Sequence, residues 1–317
     1  MADSRKSGVR CKLLGLVVIC LILFVLTETA WSQKQPGLFL NGPVAEKLAD
    51  GFAFTEGPAA DSAGNVYFTD QPNDRIYVWT TDNHLELFLD STGRANGLYF
   101  DASGRLLSCS DMNNELWQIG PGKKIDVLVK DAEGKKLNGP NDLWVHPSGR
   151  IYFTDPLYVR PYWTRNPATQ QDGENVWMLG PDRKPLKKAA VGFVRPNGII
   201  GTPDGKYLYV ADIGAGKTYV FTIMPDGSLT NRKLFAEMGS DGMTLDEKGN
   251  VYLTGNGVTV FSRKGRKIAH IPVEAAWTAN VCFGGNDGKT LFITASECLF
   301  AVRMKVRGAG PVCRRHR

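Results

Sequence analysis

Six times along this chain a carboxylate or amide residue stands just ahead of a short apolar strand. The strings are Glu56-Gly57-Pro58, Asn96-Gly97-Leu98, Asn141-Asp142-Leu143, Asn197-Gly198-Ile199, Asp241-Gly242-Met243 and Asn280-Val281-Cys282. The intervals between their leading residues are 40, 45, 56, 44 and 39. Each copy runs on into a polar turn, such as Ser62-Ala63-Gly64-Asn65 or Pro147-Ser148-Gly149-Arg150, and then an apolar strand such as Val66–Asp70. A period of about 40–50 residues with several short strands per repeat is the signature of a β-propeller. The expected fold is all-β, with six four-stranded blades around a central channel.

The first repeat shows the expected blade, with Gly57–Asp61 as inner strand and Val66–Asp70, Arg75–Thr80 and Leu85–Asp90 following outward. Val, Tyr, Phe, Trp and Thr crowd these runs while Gly, Asn, Asp and Pro fill the gaps. After residue 33 no long run carries helical apolar periodicity. One propeller domain over 33–306 is expected, with residues 36–54 helping to close the ring against the last blade, Lys289–Val306. The 56-residue interval holds an insertion, 156–175, that carries Tyr158, Arg160, Tyr162, Trp163 and Arg165. On the ligand face such a loop is a lid or rim; elsewhere it is a solvent loop.

Residues 1–32 read as a secretory signal. Four basic side chains precede the uncharged apolar run Leu13–Leu26, and Ala30-Trp31-Ser32 supplies a small-x-small site before Gln33. Fourteen apolar residues are short for a spanning helix, which takes about 20. Export, to a periplasm or to the outside, is expected, and a membrane is a partner only if this segment is retained. The net charge is +6, and six basic residues lie in the tail from Arg303 onward, part of it the expected basic tail 307–317. No basic stripe with interleaved aromatics runs through the body, which argues against nucleic acid. Of the six cysteines, Cys11 and Cys20 fall in the leader. Cys109, Cys282, Cys298 and Cys313 are too sparse for a disulfide scaffold, so one bridge or buried thiols both stay open.

Arranged radially, the six leading residues meet on the channel axis. One Glu, one Asp and four Asn make an all-oxygen ring, the donor set of a hard cation that takes about six to eight oxygens. Glu56 and Asp241 supply charge, and Asn141 and Asn197 supply neutral amide oxygens. Two carboxylates leave positions for water or a substrate oxygen, as in a catalytic site. Each Asn-Gly or Asp-Gly pair alone is also an ordinary turn; six in one phase carry more weight.

Other chemistries lack their residues. No Gly-x-Ser-x-Gly elbow occurs, and His84, His146, His270 and His316 stand far apart. His146 sits in an expected inner strand and reads as a packed histidine. Gly214-Ala215-Gly216-Lys217-Thr218 has Ala211 where a phosphate loop needs its first glycine, and reads as a turn.

The strings Leu137-Asn138-Gly139-Pro140-Asn141-Asp142-Leu143, Tyr152-Phe153-Thr154-Asp155-Pro156, Arg195-Pro196-Asn197-Gly198 and Ser240-Asp241-Gly242-Met243, with Glu56-Gly57-Pro58, closely resemble the senescence-marker-protein/gluconolactonase family over about residues 50–300. The resemblance implies a six-bladed propeller holding one divalent metal, calcium first with zinc or manganese as alternatives. It also implies hydrolysis of a small-molecule lactone or related ester. Carried over by position, it makes Glu56, Asn197 and Asp241 the metal ligands, with Asn141 as a further ligand or a substrate contact, and places Asp142 near the substrate. Asn96 and Asn280, in the same phase, and Arg94, Tyr158 and Trp277 are the expected pocket residues. Asp241 is the candidate base, or a ligand only. Leu157-Tyr158-Val159 departs from the Pro-Tyr-Gly common in gluconolactonase-like members, which leaves the substrate open. A non-catalytic propeller binding a carbohydrate or protein, and an esterase of another substrate, are the alternatives.

Overall fold

The computed structural model describes residues 37–163 and 168–310. The expected leader, Cys11, Cys20, Arg165 and Cys313 lie outside them, as do residues 311–317 of the expected tail. The chain divides into a short unit, Met1–Leu38, and the unit Phe39–Arg317 that holds every strand. Twenty-four strands form six antiparallel four-stranded sheets, and no α-helix occurs among the described residues. The inner strands are Thr55–Ala60, Ala95–Phe100, Leu143–Val145, Pro196–Gly201, Met243–Leu245 and Thr278–Gly284. Each contacts the inner strand before and after it, and the sixth returns to the first, so the blades close a six-bladed propeller. Closure is by a strand exchange: Glu46–Ala49 pairs with Cys298–Arg303 as the outermost strand of blade six. This is the role expected for 36–54, and it ties the start of the fold to its last strand.

The core lies between blades because a strand presents alternate residues to opposite faces. Ile151 and Phe153 of blade three pack with Leu107, Cys109 and Leu116 of blade two. Tyr152, between them in sequence, packs the other way with Ile199, Leu208 and Val210 of blade four. Cys109 and Cys282 are buried and Cys298 is half-buried, and no disulfide joins the described cysteines to one another. The first residues of the expected tail stay with the propeller: Ala309 donates its N–H to the Leu245 carbonyl at 2.9 Å, and Gly308 bridges Asp246.

The inner strands differ from expectation in one respect. Glu56, Asn96, Asn197 and Asn280 lie inside them, and only Asn141 and Asp241 precede theirs, by two residues. The pairing register slips at or beside the leading residue in four blades, between Glu56 and Ala59, Ala95 and Leu98, Pro196 and Ile199, and Thr278 and Asn280. A bulge of this kind re-aims a side chain out of the normal alternation.

The glycines after the leading residues are not turns. A Cβ at Gly57 would meet the Asn96 carbonyl oxygen at 2.1 Å, and one at Gly198 the Asp241 carbonyl at 2.7 Å. At Gly97 it would meet the Asn141 carbonyl at 2.6 Å, and at Gly242 the Asn280 side chain at 1.9 Å. The missing side chain lets the next blade's inner strand pass at backbone distance. Threonines at the ends of the second strands reinforce the approach: Thr69, Thr154 and Thr254 donate their hydroxyls to the carbonyls of Asn96, Asn197 and Ala279 in the following blade, at 3.1, 2.8 and 2.8 Å.

Candidate active site at the propeller axis

Glu56, Asn96, Asn141, Asp142, Asn197, Asp241 and Asn280 are all buried, each less than a tenth exposed. Asn197 uses its amide N–H groups on Asp241 Oδ1 at 2.7 Å and on the Tyr158 hydroxyl at 3.0 Å. Trp277 donates its indole N–H to Asp241 Oδ2 at 2.6 Å. Asp241 is therefore held at both oxygens. Glu56 Oε2 accepts the Gly57 N–H at 2.9 Å, and Asp142 Oδ1 accepts the Leu143 N–H at 2.9 Å. The Asn280 amide faces both the Glu56 and Asp142 carboxyls and lowers the pKa of each. Residues from five blades thus converge, as radial packing of the repeats requires.

Burial raises the pKa of all three carboxyls, and neighbouring carboxyl charges add to it at Glu56 and Asp142. Burial pushes Glu56 well above the ordinary carboxylate value, and the charge of Asp241 adds to that, outweighing the Gly57 N–H. Burial raises Asp142 to about 7 against hydrogen bonds from Leu143, Asn280 and Ile199. Burial raises Asp241 to about 6 while Trp277, Asn197 and the Arg160 charge pull it down. Each carboxyl pays for desolvation without a cationic partner of its own in the ring. Among the described residues no three of His, Cys, Asp and Glu are grouped as a metal centre. A cation at this point would therefore depend on amide oxygens as well as carboxylates.

The insertion forms a rim over this point, and its reach is the part the sequence left unassigned. Asp155 and Asp212 at second-strand ends accept the backbone N–H groups of 138–139 and 194–195, fixing the segments that enter blades three and four. Asp111, one residue past the end of the second strand of blade two, faces the insertion instead. It accepts the Tyr162 hydroxyl at 2.6 Å, Arg160 Nε at 3.2 Å and Gln71 Nε2 at 3.3 Å. Arg160 and Arg195 lie over the Tyr158 ring, 4.9 and 5.0 Å from its centroid, and Arg94 lies 4.2 Å over that of Tyr162. Arg94 is thus a rim residue, bonded to the Pro72 carbonyl, rather than part of the ring. Asp111, Arg160, Tyr162 and Arg195 were not among the expected site residues. The Arg- and Tyr-rich insertion was the available signal for two of them.

His146 takes no part. Its ring nitrogens face Ser148 Oγ at 2.7 Å and the Gly205 carbonyl at 3.1 Å, beyond the far end of the inner strand. A cavity of about 640 Å³ opens on that side of the channel, lined by Asp142, Asn280, Leu98, Ile199 and Met243 and ending at His146 and Arg183. Asp142 and Asn280 separate it from the convergence of Glu56, Asn197 and Asp241.

The architecture and the sequence both have relatives. The gluconolactonase of Zymomonas mobilis is 28% identical over 309 residues, 88% of this chain and 86% of that protein. The solved gluconolactonase of Xanthomonas campestris is 31% identical with a TM-score of 0.75, over 82% of this chain and 89% of that one. Regucalcin of Agrobacterium tumefaciens, a calcium-binding protein, shares the fold at 17% identity and a TM-score of 0.70, over 83% of this chain and 95% of that one. The sequence profile of the SMP-30/gluconolactonase/LRE-like family matches residues 54–297, and the chain belongs to that family.

Proposed function

We propose that the protein is a lactone hydrolase that opens a sugar-acid lactone such as gluconolactone, with a divalent cation held by Glu56, Asn141, Asn197 and Asp241. The observation that carries this reading is the convergence of Asn197 on Asp241 at 2.7 Å, with the charge of Asp241 in turn felt at Glu56. Gluconolactonases that align with more than four fifths of this chain support the substrate class.

The donor set suits a hard cation. It contains only oxygens. Asn197 has spent its N–H groups on Asp241 and Tyr158, which leaves its amide oxygen as the donor. The side-chain amides of Asn96 and Asn141 make no hydrogen bond among the described residues. Calcium or manganese suits the ring better than zinc, because no nitrogen or sulfur ligand stands in it. When bound, the ion supplies polarisation of the lactone carbonyl.

The protein's own groups do the remaining work. Asp241 is the base: its carboxylate takes a proton from water as the water oxygen bonds to the carbonyl carbon. The bond from that carbon to the ring oxygen then breaks, the ring oxygen takes up a proton, and the open hydroxy acid leaves. Trp277 and Asn197 hold the carboxylate in position for the proton it receives. Asp142, Asn96, Asn280 and Tyr158 bind the sugar hydroxyls.

The test is acid release from D-glucono-1,5-lactone by residues 33–317 after chelation, with and without calcium, zinc or manganese. Turnover restored by one of these ions is expected. Equal turnover in the chelated protein would overturn the cation, and no turnover with any ion would overturn the lactone. The propeller is further proposed to be exported with loss of residues 1–32, which Edman sequencing of protein from the native cell decides.

A further inference from the structure

The rim of the site carries more positive charge than its fold requires. Tyr158 reaches the ring through its hydroxyl on Asn197, and its aromatic face lies between two guanidiniums, those of Arg160 and Arg195. A third, Arg94, covers the neighbouring Tyr162. The acidic groups nearby are committed elsewhere. Asp111 is 4% exposed and is taken up by Tyr162, Arg160 and Gln71. Asp212 accepts the backbone N–H groups of Val194, Arg195 and Ala215. Asp74 accepts the Thr92 hydroxyl and the Arg94 N–H. Glu174 feels the Arg195 charge but forms no ion pair with it. Among the described residues only Arg160 of the three has a salt bridge, to Asp111.

Cations stacked on tyrosine keep their N–H edges for a further acceptor, since the ring occupies only the guanidinium face. Arg195 is exposed and its guanidinium makes no hydrogen bond among the described residues, and Arg160 and Arg94 are half-buried. A structural role explains Arg160, which pins the insertion to Asp111. It does not explain the N–H donors of Arg195, whose side chain stacks on Tyr158 but makes no hydrogen bond among the described residues. The spare donors lie one tyrosine ring away from Asn197 and Asp241.

We infer that the substrate of this site bears an anionic group, a phosphate, sulfonate or carboxylate, at the end of the sugar acid remote from the lactone carbonyl, and that Arg195, Arg160 and Arg94 receive it. The inference rests on the lactonase reading for the reacting end and on the rim alone for the anionic end. Guanidinium recognition of such oxyanions is planar and often bidentate, so glutamine, which keeps part of the aliphatic stem and some hydrogen bonding but no charge, is the informative replacement.

The experiment compares D-glucono-1,5-lactone with its 6-phosphate, its 6-sulfonate analogue and the glucaric acid lactone, with metal present. At low salt at least one anionic lactone is expected to exceed the neutral one in kcat/KM by about tenfold or more, with the preference shrinking as salt rises. Arg195→Gln, and Arg94→Gln combined with it, are expected to cut the anionic-to-neutral ratio about tenfold, while Lys233→Gln on an outer strand keeps it. The ranking among the three identifies the anion. A neutral lactone used as well as all three, with a ratio unmoved by Arg195→Gln, overturns the inference. If no lactone is opened, calorimetry with 6-phosphogluconate against gluconate decides separately. Tighter phosphate binding that Arg195→Gln abolishes keeps the anionic rim and removes only the lactonase reading; equal binding of the two acids overturns the rim.

Discussion

Trp277, a side chain 40% exposed to solvent, donates its indole N–H at 2.6 Å to a carboxyl oxygen of Asp241, which is buried. The bond joins the rim of the site to its centre and lowers the pKa that burial raises. Trp277→Phe keeps the aromatic cover and deletes the donor. Hydrogen bonds to charged groups are worth about 1.5–3 kcal/mol, so kcat/KM for lactone is expected to fall about 10- to 100-fold with the thermal midpoint little changed. Wild-type turnover in this variant would show that the indole only covers the site.

Crowded buried carboxyls make the metal-free protein sensitive to alkali. Asp142 titrates at about 7 and Asp241 at about 6 in the folded state, and Glu56 is shifted the same way. All three lie above their unfolded values near 4, so the folded protein holds more protons through this window. Stability is then full below about pH 4 for these groups and is lost as pH rises through 6 and 7, by up to ~1 kcal/mol per unit for each group. Denaturant melts of chelated protein at pH 5 and pH 8 should show the lower stability at pH 8, with calcium restoring part of it. A flat profile would mean that burial does not raise these carboxyls in solution.

Inner-strand glycines are expected to be intolerant in order of what their Cβ would strike. Gly57 has φ +43° and faces the Asn96 carbonyl at 2.1 Å, so Gly57→Ala strains its own backbone and pushes two blades apart. A loss of roughly 2–3 kcal/mol is expected, read as a drop in denaturation midpoint. Gly134 also has positive φ but nothing within 4 Å of its Cβ. Gly134→Ala should cost less, and equal costs would remove blade contact as the reason for the glycine.

This contact explains why the propeller was legible in the sequence. The repeat is readable because each blade must offer a polar side chain to the axis and, in four blades, a glycine to its neighbour's inner strand. The closing strand was visible only as leftover length, since Glu46–Ala49 carries no mark of pairing with Cys298–Arg303. The axial bulges were not legible, because a register slip leaves the residue order unchanged; the leading residues were expected ahead of the strands, and four lie within them. The rim was hidden for another reason. Asp111 and Tyr162 meet across 51 positions, and nothing in the blade-two string separates Asp111 from Asp155 or Asp212, which bind backbone.

Asp241→Asn separates the roles of shape and charge at the centre. The amide is isosteric and its oxygen can still accept the Trp277 indole, while the hydrogen bond from Asn197 loses its charged acceptor. Loss of the base and of one charged ligand should lower kcat by about 10³-fold or more. The same change removes a buried charge that raises the pKa of Glu56. The metal-free variant is therefore expected to be more stable than the parent at pH 8 and to differ less at pH 5, where the parent carboxyl is largely protonated. An inactive variant with raised stability at pH 8 fits a centre where function costs stability. A variant that is inactive and destabilised at both pH values points to Asp241 as a packing group, and one with full activity excludes it from the reaction.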